Sequence, residues 1–95
     1  MTTLASTFGK RFRIARETLK LTEEQIGEKI GLTRLDILLI ESDNALPPLT
    51  KLASFISLYD LDYYWIVAGE VRPSIFRSDI PIRNKTSRSV EDARR

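Results

Sequence analysis

The stretch that most limits how this chain can fold is "LTEEQIGEKIGLTRLDILLIE", residues 21–41. Thr22 is a good N-cap, and the acids Glu23 and Glu24 suit the positive end of a helix. Ile26 and Ile30 stand four apart and share a face. Gly31 then falls where a left-handed C-terminal cap belongs. After Leu32, Thr33 can cap a second helix over about residues 33–42, whose Ile37 and Ile40 continue the apolar phase of Ile26 and Ile30. The spacing therefore predicts two short helices meeting at a glycine turn. On the second of them, Leu35 and Leu39 project from the face opposite Ile37 and Ile40, with Arg34 and Leu38 on one flank. Burying a leucine is worth roughly 1.5–3 kcal/mol, so leucines left outside call for a use.

The flanking segments are helical as well. Phe8, Phe12, Ala15 and Leu19 recur at spacings of four, three and four, predicting a helix over about Ser6 to Leu19. Lys10, Arg11, Arg13 and Glu17 fall mostly off that stripe and are expected in solvent. "SDNALPP" reads as a loop, with Pro48 suited to open a fourth helix from about Leu49 to Tyr59. Leu52, Phe55, Ile56 and Tyr59 form its buried side. Asp62 caps a fifth, "YYWIVA", which stops at Gly69. Residues 71–95 carry two prolines and little periodicity. Ile75, Ile80 and Ile82 suit at most a short extended arm, since Pro81 confines a strand to an edge.

Composition removes whole classes of chemistry. The 95 residues contain neither cysteine nor histidine, which excludes disulfides, thiolate metal sites and the commonest neutral-pH general base. There is no glycine-rich phosphate loop, so no nucleophile, base or metal site assembles and no cofactor is implied. Glu23 with Glu24, and Asp60 with Asp62, read as helix-start charges and caps. "NKTS" at residues 84–87 matches a glycosylation acceptor, which means little in the cytoplasmic setting expected here. No apolar run approaches the roughly 20 residues that cross a membrane, and "MTTLASTFGKRFR" lacks a secretory pattern. The net charge of +2 is uneven: residues 1–70 carry 8 Lys/Arg against 10 Asp/Glu, and residues 71–95 carry 7 against 3. The division predicts one domain over 1–70 and a basic C-terminal tail or dimerisation arm over 71–95, with disorder ranked first for the tail.

"FGKRFRIARE", "LTEEQIGEKIGLTRLDILLIE" and "PPLTKLASFISLYDLDYYWIVAGE" together resemble the helix-turn-helix family of phage repressors, the Cro and lambda-repressor (XRE-like) type. The resemblance covers about residues 8–70 and implies an all-α, five-helix domain followed by a short basic tail. It further implies a non-enzymatic, sequence-specific DNA-binding regulator, a repressor that places helix 3 of each homodimer subunit in the major groove of double-stranded DNA. The positions matching the family's base readers are Thr33, Arg34, Leu35, Leu38 and Leu39; Thr22 and Asn44 would approach phosphates. Arg16 and Glu41 match a buried structural ion pair. Tyr63, Tyr64 and Trp65 are candidates for the dimer interface.

Three departures qualify the match. Glu23 stands where glutamine is common, and a carboxylate there would repel phosphate. Gly27 replaces a small alanine, at up to about 1 kcal/mol of helix propensity. The outward face of helix 3 is leucine-rich, with Arg34 its only group able to grip guanine bidentately. That face suits thymine methyl groups in the groove, or alternatively a protein partner held through Leu35, Leu38 and Leu39 by an adaptor that keeps the fold.

Overall fold

The computed structural model describes residues 7–81 and builds five helices in the expected order: α1 (Phe8–Thr18), α2 (Glu23–Ile30), α3 (Arg34–Glu41), α4 (Leu49–Leu58) and α5 (Tyr63–Ile66). Local chemistry sets most of the starts. Thr7, Thr22, Thr33 and Asp62 each accept a hydrogen bond from the backbone N–H three residues on. Pro48 opens α4 without a side-chain cap. Gly31, at φ 79°, closes α2 in the left-handed region. Lys20, Asp43 and Asp60 take the same backbone region after α1, α3 and α4 without being glycine.

One face of every helix feeds a single core of Phe12, Ala15, Ile26, Ile30, Ile37, Ile40, Phe55, Leu61 and Ile66. Phe12 and Phe55 stack at its centre, with ring centroids 4.5 Å apart. On α4 only Phe55 is fully buried; Leu52, Ile56 and Tyr59 are half-covered.

Arg11 differs from its expected solvated position, being only 5% exposed. It stands three residues after Phe8 and four before Ala15, so it borders the apolar stripe instead of opposing it. Its guanidinium donates to the carbonyls of Ile66 (3.0 Å) and Val67 (3.3 Å), satisfying the end of α5. Burial holds its pKa below the usual arginine value, and the charge of Asp43 works against that shift.

Residues 71–81 fold back onto the helices. Asp62 N–H donates to Ile75 O and Arg77 N–H to Asp60 O, with a lone antiparallel bridge between Leu61 and Phe76. Ile75 and Phe76 pack on the core, and a single 3-10 turn, Arg77–Asp79, follows. Here the chain forms a strap against the α4–α5 junction and not a free extended arm. Ile82, the glycosylation-like motif and most of the basic tail lie outside the described residues.

Candidate nucleic-acid interface

The site begins with how α2 and α3 are locked together. A capping box at each N-terminus fixes both starts: Thr22 with Gln25, and Thr33 with Asp36. The patterns T-x-x-Q and T-x-x-D in the sequence carry this signal, and Gln25 and Asp36 are the partners that a reading of the caps alone leaves out. Within α2, Gly27 is where the turn after Gly31 passes back over the helix. A Cβ there would sit 2.5 Å from the carbonyl oxygen of Leu32. Glycine at this position is thus a packing requirement of the turn.

The far end of α3 is held by α1. Gly9 N–H donates to the Asp43 carboxylate at 2.9 Å. Deeper in, Arg16 grips Glu41 bidentately, with Nε to Oε2 at 2.6 Å and Nη2 to Oε1 at 3.0 Å. Its Nη1 donates to Leu21 O at 2.8 Å. That hydrogen-bonded pairing raises the Arg16 pKa. Breaking one side of such a pair strands the other charge, at roughly 3–5 kcal/mol.

Glu23 joins this cluster, its carboxylate 3.5 Å from the Arg16 guanidinium. Its own backbone N–H, and then Arg16, hold its pKa below the ordinary carboxylate value. The charge at the start of α2 therefore faces an internal cation, which weakens the repulsion of a phosphate expected from sequence.

The outer face of α3 is set by these anchors. Ile37 and Ile40 are buried, whereas Leu35 is 63% exposed, Leu39 37% exposed and Leu38 half-buried. Arg34 is exposed beside them, and with Thr22, Glu24, Gln25, Glu28, Leu32 and Thr33 it lines a shallow depression between the starts of α2 and α3. Thr22 and Thr33 accept from backbone N–H groups, which leaves each hydroxyl its proton to donate to a phosphate. Asn44 is exposed after α3, but its amide donates to Ser42 Oγ at 2.9 Å. The structure thus brings Thr22, Thr33 and Arg34 to one depression, with Leu35 and Leu39 exposed along α3 and Asn44 exposed after it.

On α5, Tyr63 and Tyr64 pack edge to face, with ring centroids 5.5 Å apart, while the third aromatic turns inward. Trp65 packs against the core. Tyr64 carries the Arg72 guanidinium over its ring, 5.1 Å from the centroid, while Arg72 also pairs with Asp62 at 2.8 Å. Tyr63 is half-exposed and lines a groove of about 430 Å³ with Leu49, Leu52, Ala53 and Ile56 of α4.

Among the described residues, no group of three or more His, Cys, Asp or Glu is placed to hold a metal, and no helix is long and apolar enough to cross a membrane. A family profile described as a helix-turn-helix domain matches residues 9–71. The chain is also 34% identical over 73 residues to the "Uncharacterized HTH-type transcriptional regulator YobD" of Bacillus subtilis (strain 168), across 75% of this chain and 65% of that protein. It thus spans a little less than two thirds of that relative's length. No solved structure matches it. With two locked helices at a glycine turn inside a five-helix core, and a profile match over most of its length, the chain belongs to the XRE-like helix-turn-helix family.

Proposed function

We propose that the protein is a sequence-specific DNA-binding transcriptional regulator, a repressor that binds a palindromic operator as a homodimer through α3. The observation that carries this reading is that Arg34 and Leu35 stand exposed at the start of α3, while Ile37 and Ile40 are buried and Glu41 is held by Arg16. A B-DNA major groove, about 12 Å wide, admits such a helix. Two α3 helices would read half-sites about 10 bp apart. Arg34 would meet guanine, and Leu35, Leu38 and Leu39 the apolar features of neighbouring bases. The hydroxyls of Thr22 and Thr33, and Asn44 beyond α3, would hold phosphates. Tyr63 and its groove are the best dimer candidates of the α5 region. A cytoplasmic setting goes with this reading, since the target is intracellular DNA.

Charge sets the character of the binding. The described residues carry 10 Lys/Arg against 11 Asp/Glu, a net of −1. Arg13, Arg16 and Arg72 face carboxylates of this same chain. Long-range attraction to DNA is accordingly weak, and affinity must come from groups at the contact or from the basic residues after 81. Selection of bound duplexes from a random library, followed by a salt titration of the winner, tests the reading. Log affinity should fall linearly with log salt, by about 0.9 for each phosphate engaged. Failure to bind any duplex at low salt would overturn it.

A second reading has its own observation. Glu24 and Glu28 line the same depression as Arg34 and Leu32, a surface that also suits a basic, apolar protein partner. Under that adaptor reading, Leu35→Ala and Leu39→Ala abolish a protein complex while Arg34→Ala does little.

A further inference from the structure

We infer that α3 recognises its operator through pyrimidine 5-methyl groups, so that the chain distinguishes thymine from uracil and accepts 5-methylcytosine as a thymine equivalent. This rests on the DNA-binding reading of α3 and specifies what that face detects. The polar side chains around the leucines are hydrogen-bonded within the protein itself. Thr33 Oγ1 accepts from Asp36 N–H at 3.1 Å, and the Asp36 carboxylate accepts from Thr33 N–H at 2.9 Å. Ser42 Oγ donates to Leu39 O at 3.1 Å, and Asn44 Nδ2 donates to Ser42 Oγ at 2.9 Å. Within α3, "RLDILLIE", Arg34 is the sole basic residue. With the remaining Thr33 hydroxyl proton given to a phosphate, hydrogen-bonded base reading by α3 rests on Arg34.

The rest of the contact is hydrocarbon. Leu35 and Leu39 lie one helical turn apart, with Cβ atoms about 5–6 Å from each other. Stacked base pairs rise about 3.4 Å each, so the two leucines can meet methyl groups on neighbouring or next-neighbouring pairs. In the major groove the apolar feature a base edge offers is the thymine 5-methyl group. Methylation of cytosine at the same ring carbon places an equivalent group there. A leucine cannot tell the two apart, because it makes no hydrogen bond to the exocyclic oxygen or amine that separates them. Leu35, at 63% exposure, is already clear of the core and needs no rearrangement to make this contact.

The test uses the full chain and the duplex selected above, with each thymine replaced in turn by uracil, which removes the methyl group and leaves every hydrogen-bonding edge. One or two positions in each half-site should lose about fourfold in affinity, the equivalent of roughly 0.8 kcal/mol for one methyl group. At those positions a 5-methylcytosine–guanine pair should bind better than cytosine–guanine by a similar factor. In Leu35→Ala or Leu39→Ala protein, the thymine–uracil difference at one of these positions should shrink below twofold. Equal binding of all uracil-substituted duplexes would overturn the inference while leaving DNA binding by α3 intact. A full thymine–uracil difference in both leucine variants would likewise overturn the assignment to these side chains. Absence of binding to any duplex would remove both this inference and the reading beneath it.

Discussion

Gly9→Ala tests how tightly α1 holds the end of α3. An added Cβ would lie 2.5 Å from Ile40 O, 2.8 Å from Glu41 O and 2.7 Å from Asp43 Oδ1. Two of those atoms are backbone carbonyls, so no rotamer change relieves the clash and one helix must move. Overpacking of this kind costs about 1–3 kcal/mol. Displacement also weakens the bond from Gly9 N–H to the Asp43 carboxylate, worth about 1.5–3 kcal/mol as a charge-assisted contact. Alanine returns at most about 1 kcal/mol of helix propensity. The expected net is a destabilisation of about 2–4 kcal/mol. For a domain of this size that lowers Tm by roughly 10–25 °C, readable by thermal melting with urea titration as a check. Because Gly9 and Asp43 share one contact, pairing the change with Asp43→Asn should cost less than the sum of the two. A Gly9→Ala variant as stable as the parent would refute the close approach.

Three further outcomes follow from the same contacts. Glu41→Ala should cost about 3 kcal/mol in urea titration, at the low end for a broken buried pair because Glu23 and Glu17 still face Arg16; a smaller loss than that of Glu23→Ala would contradict this. Leu35→Ala should change stability by less than about 0.5 kcal/mol, and Ile37→Ala should cost about 2–5 kcal/mol; the reverse order would mean that α3 is turned about its axis. Glu23, Asp36 and Asp60 are held below their ordinary pKa values, Asp36 chiefly by Thr33 and Asp60 by Ser78. Such depressed carboxyls stabilise the fold above the unfolded range near pH 4 and lose that contribution as pH falls through their folded values. Urea midpoints should therefore drop between about pH 5 and 2, less steeply in Asp36→Asn and Asp60→Asn variants; parallel curves for parent and variants would contradict it.

The helices were legible because their signals are local. Thr22, Gly31, Thr33 and Asp62 act within four residues of themselves, and the isoleucine spacing alone orients α2 and α3. Contacts between distant segments were less legible. Arg11 looks like a surface cation until α5 arrives to present its carbonyls, and Glu23 looks like a phosphate repellent until Arg16 lies beside it. Gly9 carries no sequence mark of the carbonyls it must clear. Gly31 and Gly69 announce left-handed turns, whereas Lys20, Asp43 and Asp60 adopt the same geometry under tertiary constraint. The strap at 71–81 is likewise a product of long-range pairing with Asp60 and Asp62, which periodicity does not register.

The most direct test of α3 as the DNA-reading helix is titration of the selected duplex with Arg34→Ala and Leu35→Ala proteins, using Thr18→Ala on α1 as the control. Loss of a bidentate guanine contact, about 1–3 kcal/mol, should weaken binding by Arg34→Ala roughly 5- to 150-fold, and Leu35→Ala should also bind more weakly, while Thr18→Ala binds as the parent does. Parent-like binding by both α3 variants would contradict the assignment and place the contact elsewhere on the protein.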